Sequence, residues 1–224
     1  MAASNVLSSV SSISISPLPH LRLPSKPQIS SVRISASADI RPPITSAEET
    51  RKHVEVLKAA AKTRQVPSSE ILSAFAEIKK KAPSEIDLST LGGTESPGRT
   101  WMLVFTSQGE SSDKGKYFPI TAIQRFDAQG RRIENGVYFG GLGNLSFEGR
   151  LSWKKKILAF VFEKIRIKVG PFGPFEIKLG QTDPDREPSN IDSFFIWFYV
   201  DDEIAVARGK SGGTAFWCRC ARVV

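Results

Sequence analysis

A chain of 224 residues with 40% apolar side chains can bury one sizeable core and still carry an appendage. The formal net charge of +8 is basic but not extreme, and only two cysteines and two histidines are present. The longest purely apolar runs, Phe194–Val200 and Ile157–Phe162, fall far below the roughly 18 residues of a membrane-spanning helix. Any membrane contact is therefore expected to be peripheral.

The first 38 residues contain no Asp or Glu, and residues 1–37 hold 12 serines, four prolines and three cations, Arg22, Lys26 and Arg33. Serine interrupts every candidate apolar run, which disfavours a secretory signal. Ser-rich, acid-free and weakly basic is the composition of an organellar transit peptide. The Met-Ala start and the scarcity of arginine favour the chloroplast. Residues 1–37 are expected to be removed, with cleavage near Val32–Ala36. The mature chain then carries 28 basic and 23 acidic residues, a charge near +5.

Residues 38–84 form the next segment, with helices expected over 46–82. Ser46-Ala47-Glu48-Glu49 fits a capping box, and Val54, Leu57 and Ala61 recur at helical spacing. A second helix follows Pro67, with Ile71, Phe75 and Ile78 as its apolar stripe. Lys79, Lys80 and Lys81 suit its negative end, and Pro83 stops it. These helices are read as a flank packed on the domain, with a partner-binding arm as the alternative.

From Trp101 the chain changes character: 20 of its 21 aromatic residues lie beyond position 100. Short segments rich in β-branched and aromatic residues alternate with turn signals. Strands are expected near 101–107, 117–126, 132–139, 144–152, 157–169, 175–179, 193–200, 203–208 and 214–223. Ile165, Ile167 and Val169 alternate with Lys164, Arg166 and Lys168, so one face of that strand is wet. Eight or nine antiparallel strands in this length predict a closed barrel over residues 85–224, with room for side chains or one small ligand. Trp101, Leu103 and Phe105 are expected to share one inward face, as are Phe195, Trp197 and Tyr199. Phe160 and Phe162 alternate into the same core.

Three stretches resemble the plastid lipid-associated protein (fibrillin) family. They are Gly98-Arg99-Thr100-Trp101-Met102-Leu103-Val104-Phe105-Thr106-Ser107, then Phe147-Glu148-Gly149-Arg150-Leu151 with the Phe-rich run to Phe172, and Tyr199-Val200-Asp201-Asp202-Glu203-Ile204-Ala205-Val206-Ala207-Arg208-Gly209. The chain departs from the family pattern twice. Two residues rather than one separate Gly98 from Trp101, and Ala205 replaces an arginine. The resemblance implies a lipocalin-like fold and association with thylakoids or plastid lipid droplets (plastoglobules). It also implies binding of carotenoids, prenylquinones or acyl lipids, with Trp101, Leu103, Phe105, Phe160, Phe162, Phe195, Trp197 and Tyr199 as lining. It further implies an arginine stacked on Trp101 at the closed end, a role given to Arg208 with Arg219 as the alternative.

Charge is uneven along the chain. Seven basic residues and one acid, Glu163, lie between Arg150 and Lys168. Lys154-Lys155-Lys156 at a hairpin tip is read as a candidate membrane-surface patch, against a plain solvated turn. Asp201 and Asp202 are assigned to fixing a turn or facing water, with a carboxylate pair or weak cation site as alternatives. Cys218 and Cys220, two apart on a strand, disfavour a mutual disulfide and lack the second ligand pair of a zinc site.

No catalytic set, metal site or cofactor motif emerges. The only histidine of the mature chain, His53, lies on a helix, so no histidine-based triad can form in the barrel. Gly209-Lys210-Ser211 lacks the first glycine of a phosphate loop. Nucleic-acid binding is not expected, because the aromatics of the basic segment point into the core. The sequence thus predicts a non-catalytic lipid-binding protein of the chloroplast, at the thylakoid surface, the plastoglobule or in the stroma. A scaffold for a plastid lipid-metabolism enzyme is the alternative, and a lipocalin-like enzyme stands behind it.

Overall fold

The computed structural model describes residues 46–109, 114–180, 183 and 185–221. The proposed transit segment, its cleavage region and the Ser46 side chain of the capping box lie outside the described residues.

Two helices open this part of the chain, α1 (Ser46–Thr63) and α2 (Ser68–Lys80). They bury the apolar faces that their spacing predicts: Val54 and Leu57 on α1, Ile71, Ala74, Phe75 and Ile78 on α2. A third helix, α3 (Leu88–Gly92), was not expected from sequence. Asp87 caps it, its carboxylate accepting from the Ser89 backbone N–H, and Leu88 and Leu91 are buried.

Ten antiparallel strands follow: β1 (Arg99–Ser107), β2 (Gly115–Tyr117), β3 (Thr121–Asp127), β4 (Arg132–Tyr138), β5 (Gly143–Lys154), β6 (Ile157–Val169), β7 (Phe172–Lys178), β8 (Ser193–Val200), β9 (Ile204–Gly209) and β10 (Thr214–Arg219). They form one sheet in the order β10-β9-β8-β6-β5-β4-β3-β1-β2, with β7 beside β6 and β10 pairing back onto β1. The sheet therefore closes on itself as a ring, with β2 and β7 as short side pieces. The expected single strand over 117–126 is two strands. Pro119 has no N–H for a ladder, and β2 and β3 pair with different halves of β1.

Two apolar cores flank the sheet. One lies on the inward face of the ring and joins Trp101, Phe126, Ile133, Leu151, Leu158, Phe160, Trp197 and Trp217 with Leu88 and Leu91 of α3. The other lies outside, where α1 and α2 cover Val104, Phe105, Phe198, Ile204, Val206 and Phe216. Ion pairs from Lys58 on α1 to Asp201 and Glu203 fasten this second core to the β8–β9 turn.

Three irregularities decide which side chain enters which core. The pairing of β1 with β10 shifts between Leu103 and Phe105, and that of β8 with β9 shifts between Trp197 and Tyr199. Each inserts one residue and reverses the faces beyond it. The third lies between β5 and β6, where Glu163 is the extra residue. Gly149 opposite it has no room for a side chain, since a Cβ there would sit 1.8 Å from the Val161 carbonyl oxygen. Gly98, which opens β1, has φ +82° and lies against the Phe126 carbonyl, so it too is confined to glycine.

Candidate ligand site on the inward face of the ring

One end of the ring is closed. The turns after β3, β5 and β8 gather there with α3, whose Gly92 carbonyl accepts from the Ala128 N–H. Trp101 is fully buried at this floor and its indole N–H donates to the Leu91 carbonyl at 2.8 Å. The Arg219 guanidinium lies 5.4 Å from the centre of the Trp101 ring. The stacked arginine is therefore Arg219, not Arg208, a correction that register explains: Trp101 faces Arg219 directly across the β1–β10 pair. Burial, then the neighbouring Arg99, pulls the Arg219 guanidinium below its ordinary value. Arg99 itself bonds the Thr90 carbonyl and Asp202.

From the floor an aromatic series climbs the inward face. Phe126 meets Trp197 edge-on at 5.5 Å, Trp197 meets Trp217 at 5.4 Å, and Trp217 meets Phe195 at 5.6 Å. Phe195 stacks on Phe160 at 5.3 Å, and Phe160 leads through Phe162 to Phe147. The lower members are fully buried, whereas Phe147, Phe162 and Phe195 are only half-buried. Ile165 and Ile167 extend the same face upward, also half-buried.

The structure divides the expected lining. Trp101, Leu103, Phe160, Phe162, Phe195 and Trp197 belong to the inward core. Phe105 and Tyr199 do not: the two strand irregularities turn them out to the helices, where Phe105 meets Phe75 at 6.0 Å. The expectation that they share a face with Trp101 and Trp197 is corrected accordingly.

Sequence reading missed two inward residues. Trp101, Gln124, Asn135, Phe147 and Ile165 occupy one cross-strand row. Among the described residues, four buried side-chain polar atoms have no hydrogen-bond partner: Gln124 Oε1, Asn135 Oδ1, Trp197 Nε1 and Trp217 Nε1. All four belong to inward-facing residues. A buried polar atom left unpaired costs about 1–3 kcal/mol. Their common signal was a polar side chain alternating with core residues on a predicted strand, Gln124 beside Phe126 and Asn135 beside Ile133.

The ring is incomplete on one side. β6 pairs with β8 only over Ile157–Phe160, and its upper half pairs with β7 instead. A cleft of about 400 Å³ opens there, lined by Phe160, Phe162, Ile191, Asp192, Ser193 and Lys210. A second concavity of about 280 Å³ lies on the outward face, between Arg125, Glu134, Ser146, Arg166 and Lys168. Its charges are largely mutually satisfied. Arg125 grips Glu134 at 2.9 and 2.5 Å, and Arg166 bonds Glu148 and Glu176. No histidine or cysteine joins that lining.

The remaining candidates have structural surroundings. The Asp201 carboxylate accepts from the Glu203 and Ile204 N–H groups and from the Tyr199 hydroxyl. Burial pushes this carboxyl up, but those donors together with Lys58 outweigh it and hold it below the ordinary range. Burial raises both thiols, Cys220 to about 11, which keeps them protonated at neutral pH; both cysteines are free. Lys154, Lys155 and Lys156 form the β5–β6 tip, at the closed end. There Lys156 donates to the Pro83 carbonyl at 2.8 Å, and the Lys155 carbonyl accepts from the Ile86 N–H. Among the described residues no group of three or more His, Cys, Asp or Glu could hold a metal, and no helix is long and apolar enough to cross a membrane.

No family model, curated protein or solved structure matches the chain.

Proposed function

We propose that this protein is a non-catalytic lipid-binding protein of plastids, and that the ring is a lipocalin-like barrel holding one small apolar molecule in its upper half. The observation that carries this reading is the inward face itself. A continuous aromatic wall rises from a sealed floor into half-buried Phe147 and Phe162, and four unpaired polar atoms stand along it. Ligand pockets combine such apolar linings with a few placed polar groups.

The same face narrows the ligand. On the inward rows the charged residues are Arg99 and Arg219, both at the floor around Trp101. A carboxylate or phosphate head held in the upper half stands above both arginines, and Lys210 at the side cleft already donates to the Ile191 and Asp192 carbonyls; burying a charge without a partner is prohibitive. A hydroxyl, ketone or quinone head, by contrast, meets two amides and two indole N–H groups. Carotenoids with oxygenated ends, prenylquinones and neutral acyl lipids fit this description. The plastid address rests on the acid-free, Ser-rich first 37 residues. The resemblance to the plastid lipid-associated family in the Trp101 strand and the Tyr199-Val200-Asp201-Asp202 turn agrees with it.

The apolar stripes of α1 and α2 are occupied by the sheet, so the helices present mainly charged faces to any partner. Tryptophan quenching tests the ligand reading, because Trp197 and Trp217 pack beneath Phe195 on the wall of the site. A long-chain prenyl alcohol or quinone is expected to quench saturably, and the carboxylate of matched length to bind at least about tenfold more weakly. Equal or tighter carboxylate binding would overturn the neutral-head assignment.

A further inference from the structure

The described residues include nine large apolar side chains that are exposed: Ile120, Phe139, Leu142, Ile157, Val169, Phe172, Phe175, Ile177 and Ile191. Their distribution is lopsided. Ile157 alone lies at the closed end. Ile120, Phe139, Leu142, Val169, Phe172 and Ile191 lie on the loops and strand ends of the open end, and Phe175 and Ile177 lie on β7 beside it.

Two adjacent tips dominate this rim. The tip between β4 and β5 presents Phe139, 51% exposed, and Leu142, 79% exposed. The turn between β6 and β7 presents Val169 and Phe172, 57% and 68% exposed. The Gly170 N–H donates to the Leu142 carbonyl at 2.9 Å, so the two tips are stitched together. Lys168, next to Val169, stands exposed beside them. The nearest acids are engaged: Glu148 with Lys164 and Arg166, Glu176 with Arg166. The rim is therefore apolar at its crest and cationic at its shoulder.

Apolar side chains at the end of a scaffold, backed by a lysine, match the layering of a lipid surface, with acyl chains below and anionic headgroups above. This rim also surrounds the mouth of the cup. We infer that the protein docks on an anionic lipid surface through the paired tips carrying Phe139, Leu142, Val169 and Phe172, with the open end facing the lipid. The inference deepens the ligand reading and rests on it for its purpose, since docking in this pose lets a lipid pass between surface and cup without crossing water. It also moves the membrane contact from Lys154–Lys156 to the opposite end of the molecule.

Flotation of the full chain with phosphatidylcholine vesicles, with and without phosphatidylglycerol, tests the pose. Leu142→Asp combined with Phe172→Asp is expected to weaken binding at least about tenfold, because two exposed apolar contacts are exchanged for charges. Lys168→Glu is expected to weaken binding only to the phosphatidylglycerol vesicles. Lys155→Glu, at the closed end, is expected to bind as wild type does. The substituted side chains are exposed, and an unchanged thermal melt identifies a folded variant. Unchanged flotation of the folded tip variant, or loss in Lys155→Glu alone, would overturn the inference. So would a wild-type chain that ignores both vesicles, including one that instead binds a protein through this rim. Tryptophan quenching by ligand added from ethanol separates the two readings. Normal quenching without vesicle binding overturns the docking pose and leaves the cup intact, whereas vesicle binding without quenching overturns the cup and leaves the pose.

Discussion

The two ends of the ring are built from the same residue types and treat them differently. At the closed end Trp101, Phe126, Trp197 and Trp217 are almost wholly buried and α3 covers this floor; the Trp101 N–H has its partner, while those of Trp197 and Trp217 do not. At the open end Phe147, Phe162, Ile165 and Ile167 are half-covered, large apolar groups face outward, and unpaired polar atoms line the wall between. Stability is concentrated where the chain seals itself, and the apolar surface left unsealed is where a ligand or a lipid surface would supply the missing partner.

That contrast can be broken by substitution, beginning at the floor. Phe126→Ala removes a fully buried ring that packs on Trp197 and is expected to cost about 3–5 kcal/mol in urea unfolding. Phe147→Ala, at the upper end of the same aromatic series, is expected to cost about half of that or less, because its surroundings are only partly closed. Equal losses at both positions would mean that the two ends are packed alike.

Acid provides a second probe, on the outer core. Asp201 titrates below its ordinary value of about 3.9. The stability it lends is therefore present above that value and is lost as pH falls through it toward the lower folded value. Asp201→Asn is expected to flatten the acid limb of the stability curve below about pH 4 and to loosen α1, which Lys58 fastens to this turn. An acid limb identical to wild type would remove Asp201 from this role.

Smaller effects sharpen the contrast. Arg219→Ala is expected to cost about 0.5–1 kcal/mol and to shift Trp101 emission, whereas Arg208→Ala leaves that emission unchanged. Gln124→Leu removes a buried unpaired acceptor and is expected to change stability by less than about 1 kcal/mol, with gain as the favoured sign. The same variant is expected to weaken binding of a hydroxyl- or quinone-headed ligand in the quenching titration. A large loss of stability there would show that Gln124 serves the fold.

Much of this contrast is legible in the residues. The strands over 157–169 and 193–200 begin and end where β-branched and aromatic runs meet turn signals, and the helical stripe through Ile71, Phe75 and Ile78 is buried as its spacing requires. The sidedness of Phe105 and Tyr199 was not legible. Period-two alternation assigns a face only while pairing is regular, and each residue lies just past a shift that depends on the neighbouring strand. α3 was missed because five residues are too few for a periodic signal; its visible mark was Asp87 ahead of Ser89. Arg219 displaced Arg208 because stacking on Trp101 depends on cross-strand register. Gln124 and Asn135 were overlooked because aromatic side chains outweighed them as candidate lining, although their alternation with Phe126 and Ile133 placed them on the same face.

The most direct test of the central claim is native mass spectrometry of the protein purified from its native tissue, followed by organic extraction of whatever it carries. The account predicts a stoichiometric apolar species with an uncharged oxygenated end, displaced when Gln124 and Asn135 are both replaced by leucine. A protein that emerges empty and takes up no added plastid lipid would contradict it.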